Sequence, residues 1–144
     1  MRCVCGIAGF SLGSSSGLDP TALARALAAG IAERGRDATG WAWRAGREPV
    51  EVRKLDAPAH EVVHAIELPA HARLAIVHVR EYTKGLPAVV ENNHPVQWGR
   101  ITLVHNGHLE NDDELFERYG QPRSTPRITV DTEAIAMLSD AVSY

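Results

Sequence analysis

The run Leu74-Ala75-Ile76-Val77-His78-Val79 carries apolar side chains on both sides of an extended chain. A strand of that kind is stable only when both of its faces are covered, so it predicts a buried strand inside a layered sheet. Shorter segments around it read as further strands: Val4 to Phe10, Ala38 to Trp43, Val50 to Leu55 and Ile101 to His105. The middle pair is joined through the turn residues Ala45-Gly46-Arg47. Helical signals fall between them. Asp19-Pro20 reads as an N-cap with proline at the first helical position, Leu23, Leu27 and Ile31 follow at four-residue steps, and Gly35 reads as the stop. A short helix fits His60 to Leu68, ended by Pro69. Asn111 with Glu114 resembles a capping box for a helix ending near Gly120, and Asp131 can cap a last helix with Ile135, Leu138 and Val142 on one face. Strands, helix and strands again predict an α/β or α+β class with layered sheets.

A chain of 144 residues is about one domain's worth and long enough to bury a core without staples. The 15 basic and 18 acidic side chains leave a net charge of −3, which argues against a nucleic-acid partner held by a basic field. No apolar stretch of about 20 residues exists, so no membrane span is expected. The N-terminus lacks the apolar stretch of a signal peptide. The two cysteines, Cys3 and Cys5, are too close on one strand to form a disulfide framework, and a cytoplasmic location is expected.

Chemistry-bearing residues fall into six groups. Cys5-Gly6-Ile7-Ala8-Gly9 puts a thiol beside a glycine, a nucleophile with room around it or a small core residue. Arg34-Gly35-Arg36-Asp37-Ala38-Thr39-Gly40 places an arginine at a helix end, where a basic side chain is favoured by the dipole alone. His78-Val79-Arg80-Glu81-Tyr82-Thr83-Lys84-Gly85 closes the buried strand. Asn92-Asn93-His94-Pro95 fits a plain turn, with a structural role for His94. His105-Asn106-Gly107 reads as a hairpin turn or as a pair of amide donors, and Asp131-Thr132-Glu133 as a helix cap or an acidic site.

In this order and spacing the groups resemble the class II glutamine amidotransferases, whose glutaminase domain belongs to the N-terminal-nucleophile hydrolases. The family pattern is Cys-Gly-Ile-x-Gly, Arg-Gly-x-Asp-x-x-Gly, His-x-Arg, Asn-x-His-Pro, His-Asn-Gly and Asp-[Ser/Thr]-Glu, and the resemblance runs from residue 5 to about residue 138. It implies an α+β fold, the αββα four-layer sandwich, here cut short at its C-terminal edge. It implies glutamine as substrate, with Cys5 as nucleophile and its own α-amino group as base. Asn106 (side-chain amide) and Gly107 (backbone N–H, in a turn with positive φ) would form the oxyanion hole. Arg80 would clamp the substrate α-carboxylate, Asp131 its α-ammonium, Arg34 would position the nucleophile's terminus, and Thr83 would line the substrate. No metal and no organic cofactor is implied, and the ammonia released would pass to a separate synthase partner, unless the chain acts as a free glutaminase.

Two departures bear on this reading. Met1 to Val4 precede Cys5, so the resemblance implies a leader removed between Val4 and Cys5, leaving a domain over residues 5–144. Glu81-Tyr82 stands where many relatives of that family carry Trp-Ala. Two other readings compete: a non-catalytic module of the same fold, and a zinc hydrolase through His60-Glu61-Val62-Val63-His64, whose imidazoles share one face of a helix.

Overall fold

The structure is a computed structural model that describes residues 5–142; the predicted leader, residues 1–4, lies outside them. The apolar run forms β4 (Leu74–Arg80), an inner strand of a four-stranded antiparallel sheet in the order β1-β4-β2-β3. Its neighbours are β1 (Gly6–Ser11) and β2 (Ala38–Arg44), and β3 (Glu51–Leu55) pairs with β2 at the edge. The register sets Gly6 opposite Val79 and Ala38 opposite Arg80.

One face of this sheet is covered by α1 (Pro20–Ile31). Asp19 caps it, its carboxylate accepting the Thr21 N–H at 2.9 Å, and Pro20 opens it as expected. The fully buried side is Ala24 and Ala28, with Ile31 half-buried beside them. Small side chains let the helix sit directly on Trp41, Trp43, Ala75 and Val77. Gly35 is not a left-handed stop. Its backbone is extended (φ −162°), and a Cβ there would lie 2.5 Å from the Arg80 carbonyl carbon, so the residue must be glycine because two backbones touch.

The other face carries His78, whose ring stacks on His94 at 4.4 Å. His94 leads into a small second sheet, β5 (Val96–Trp98) with β6 (Ile101–Leu103). α4 (Thr132–Val142) packs on that pair, and α3 (Asp112–Arg118) packs on α4 through Phe116, Ala134 and Met137. Both sheets are antiparallel, which makes the class α+β.

Three local expectations are corrected. β5 was not foreseen, β6 ends at Leu103, and no hairpin forms at Asn106-Gly107, because the chain runs from there into α3. The Asn111 side chain makes no cap bond, although α3 starts just after it. The helix expected from His60 to Leu68 is only α2 (Ala59–Val62) and a 3-10 turn, Val63–Ala65. Val62 and Val63 are β-branched, and Arg25 takes the carbonyls of His64 and Ile66 at 2.7 and 2.9 Å. No helix among the described residues is long and apolar enough to cross a membrane.

Candidate functional site

The β1–β4 pairing ends with Gly6 opposite Val79, and the next residues along each chain are Cys5 and Arg80, whose charge acts on the Cys5 thiol. The Cys5 Sγ accepts the Glu81 N–H and faces the Glu81 carbonyl, both at 3.3 Å. Burial pushes the thiol's pKa up, and the Glu81 N–H and the Arg80 charge pull it back only in part. The sulfur is therefore a thiol at neutral pH, and any attack from it needs a proton acceptor. Arg34 ends the 3-10 turn after α1, and its Nε donates to the Cys5 carbonyl at 3.4 Å.

Arg80 is 2% exposed. Its Nη1 donates to Asn93 Oδ1 at 2.6 Å, and its Nη2 donates to the carbonyls of Lys84 and Gly85 at 2.5 and 2.7 Å. These acceptors are all neutral. Among the described residues no carboxylate forms a direct ion pair with this guanidinium, so its buried positive charge is met at contact distance only by neutral acceptors. Burial lowers its pKa, and Cys5 (when ionised) and the Asp37 and Asp131 carboxylates oppose that. Those groups therefore converge on the same end of β4.

Asp131 is also 2% exposed. The structure leads its carboxylate away from capping: Oδ2 accepts the backbone N–H of Leu109 at 2.6 Å, and His108 Nδ1 lies 3.6 Å away. This ties Asp131 to the segment that carries Asn106 and Gly107. Those two residues are exposed, and among the described residues no hydrogen bond joins either to Cys5. Gly107 does not adopt a positive φ; a Cβ there would meet His105 Nε2 at 2.5 Å, so a larger residue would require the imidazole to shift. The root of the loop is held from below. His78 Nε2 reaches the His105 carbonyl at 3.3 Å, and Thr132 Oγ1 lies between His94 Nε2 (2.7 Å) and His105 Nδ1 (3.4 Å). Burial lowers the His78 pKa to about 4 and takes that of His94 well below the ordinary value, so both rings are neutral.

Cys5, Arg34 and Arg80 are thus brought together, with Asp131 within electrostatic reach. Thr83 sits exposed on the loop after β4. The zinc pattern is not assembled. His60 and Glu61 are exposed and 3.7 Å apart, the helix breaks before His64, and among the described residues no three His, Cys, Asp or Glu side chains are grouped to hold a metal. The apolar cavity lined by Ala42, Leu74, Ile76 and Thr102 contains none of the site residues.

The sequence reading missed Asn92 and Asn93. The expected plain turn is a joint. Asn93 orients Arg80, and Asn92 Oδ1 accepts the N–H groups of Thr129 and Val130 at 2.7 and 3.1 Å. Two consecutive carboxamides before His-Pro were the available signal, because a solvated turn does not need both side chains.

No protein-family model matches the chain. It is similar to glutamine--fructose-6-phosphate aminotransferase [isomerizing] of Caulobacter vibrioides, 42% identical over 74% of this chain and 18% of that protein. The proteins of the same name from Gluconobacter oxydans and Bartonella quintana are 32% and 33% identical over 95% and 94% of this chain, and 21% of each is covered. The chain spans about a fifth of the length of these curated relatives. The similarity is to one segment of these glutamine--fructose-6-phosphate aminotransferases.

Proposed function

We propose that residues 5–144 are a class II glutaminase domain that hydrolyses the side-chain amide of glutamine through a thioester on Cys5. The observation that carries this is a half-buried thiol beside a buried guanidinium that has no direct ion pair, at the adjoining ends of β1 and β4. One group attacks, and the other holds a carboxylate a fixed distance away.

In this reading the Val4–Cys5 bond is cleaved, and the freed α-amino group of Cys5, which titrates near ~8, takes the thiol proton. Arg34 holds the Cys5 carbonyl and so orients that terminus. Sulfur attacks the carboxamide carbon. The developing oxyanion is met by the Asn106 amide and the Gly107 N–H. The C–N bond breaks, ammonia leaves with the proton held by the α-ammonium, and water hydrolyses the thioester to glutamate. Arg80 binds the substrate α-carboxylate, Asp131 its α-ammonium, and Thr83 lines the substrate. The two sheets are the inner layers of the N-terminal-nucleophile sandwich, and the ammonia passes to a synthase partner. The names of the relatives support this reading, since they pair glutamine with an amination reaction.

The test has two parts. Mass spectrometry of active protein should find Cys5 as the first residue. Glutamate release should be lost on Cys5→Ala, by at least about a thousandfold for a nucleophile removed. A fully active species that retains Met1 overturns the mechanism. Correctly matured protein that binds glutamine without hydrolysing it would leave the non-catalytic module.

A further inference from the structure

Resting on that reading, the geometry points to Asp112 as a positioning residue that sets the spacing between Arg80 and Asp131. Asp112 opens α3 and is fully buried, far from Cys5 in sequence. Its two oxygens hold two different cations. Lys84 Nζ donates to Oδ1 at 2.6 Å and Oδ2 at 2.8 Å, and Arg123 Nη2 donates to Oδ2 at 2.5 Å.

Each cation leads to one end of the substrate site. The backbone carbonyl of Lys84 is an acceptor for Arg80, so anchoring the Lys84 side chain fixes where the guanidinium rests. Arg123 Nη1 donates to the carbonyl of Val130, the residue before Asp131, at 3.2 Å and to Glu133 Oε2 at 3.3 Å. Glu133 is itself buried and accepts the Ser124 N–H at 2.9 Å as well as the Ser124 hydroxyl. Buried Asp112 therefore ties the loop that cradles Arg80 to the turn before α4 that presents Asp131, and exposed Asp113 bridges the same two cations at 3.2 Å from Lys84 Nζ and 2.6 Å from Arg123 Nη2. Burial pulls the Lys84 ammonium down, but its bonds to Asp112 and Asp113 outweigh that and raise its pKa, so the tether stays charged.

A buried charge cluster of this kind adds little stability over apolar packing, but it fixes geometry. The geometry in question is the distance between a cation and an anion that must together match the carboxylate and ammonium of one α-amino acid. Asp112 touches neither substrate charge. Its effect should be confined to recognition of the amino-acid head.

The experiment measures glutamine hydrolysis by matured wild type, Lys84→Met, Lys84→Arg and Asp112→Asn, together with their thermal midpoints. Lys84→Met is the primary variant, because it removes one tether and leaves Asp112 paired with Arg123. The expected result is a KM for glutamine raised about tenfold with kcat within about twofold of wild type, and recovery in Lys84→Arg. With 4-aminobutyramide, which is glutamine without its α-carboxylate, wild type and Lys84→Met should give the same KM. An unchanged KM for glutamine, or an equal rise with both substrates, overturns the inference while leaving the glutaminase reading intact. If wild type binds glutamine calorimetrically but does not hydrolyse it, the glutaminase reading fails. The inference is then judged by Kd: a tenfold rise in Lys84→Met supports it and an unchanged value overturns it. A wild type that neither binds nor hydrolyses glutamine overturns both.

Discussion

The cradle of Arg80 and the loop of Asn106 and Gly107 hold groups with equally demanding tasks, but they are built differently. Arg80 is buried and receives three acceptors from two separate segments, and those segments are pinned in turn by Asn92 and Asp112. Asn106 and Gly107 stand in solvent, secured only where His105 and Leu109 leave and rejoin the core. In the proposed glutaminase reading the difference follows from what each would meet. A carboxylate arrives with a fixed charge and shape, so its receptor can be finished in advance. An oxyanion exists only during the reaction, and donors aimed at it need not be engaged beforehand.

The largest expected effect separates the two regions by kinetics. Asn106→Ala should lower kcat by about a hundred- to a thousandfold, roughly 3–4 kcal/mol, with little change in KM. Its thermal midpoint should match wild type, since the side chain is exposed and among the described residues has no hydrogen-bond partner. A drop in midpoint, or a KM change as large as that in kcat, would mean that the loop is as deeply built in as the cradle.

The second effect acts at the root of the loop and is read by pH. Burial holds His78 neutral by lowering its pKa from 6.5 to about 4. Between those values the unfolded chain takes up a proton that the folded chain refuses. Stability is therefore full above pH 6.5 and falls as pH drops towards 4, by about 3 kcal/mol for this group. His94 is shifted in the same direction and adds to the slope. Urea midpoints measured from pH 7 to pH 4.5 check this, and a flat profile between 6.5 and 5 would show that His78 is solvated.

How far the sequence was legible follows the same division. Cys5, Arg34 and Arg80 stand on or beside strands and helix ends whose patterns are local. The apolar run marked β4, Asp19-Pro20 marked α1, and the turn residues at Gly46 marked the β2–β3 pair. What stayed hidden was long-range. No spacing reveals that Asp112 reaches back to Lys84, or that Asn92 reaches forward to Val130, because each contact depends on how the second sheet lands on the first. Local patterns also misled where tertiary contacts overrode them. His60 to His64 has helical spacing, but Arg25 draws off the carbonyls that would continue the helix. Asp131 has the form of a cap, but its carboxylate serves Leu109.

The smallest predicted effect tests whether the cradle is as rigid as its bonds imply. Gly85 has φ +82°, a conformation that L side chains rarely adopt, and a Cβ there would lie 2.8 Å from the Asn92 side-chain carbon Cγ. Gly85→Ala should therefore cost about 1–2 kcal/mol of stability from backbone strain alone. The Asn92 contact directs the strain, because Asn92 also holds the Thr129 and Val130 amides ahead of Asp131. If the chain relieves the clash by moving the Gly85 carbonyl off Arg80, KM for glutamine should rise together with the loss of stability. If it relieves the clash by moving Asn92, the same rise should appear through Asp131, and it should persist with 4-aminobutyramide, which keeps the ammonium but lacks the carboxylate. Urea midpoints and KM measured on that single variant show which side of the cradle yields. A stability loss with KM unchanged for both substrates would mean that the cradle tolerates displacement and is not the finished receptor its hydrogen bonds describe.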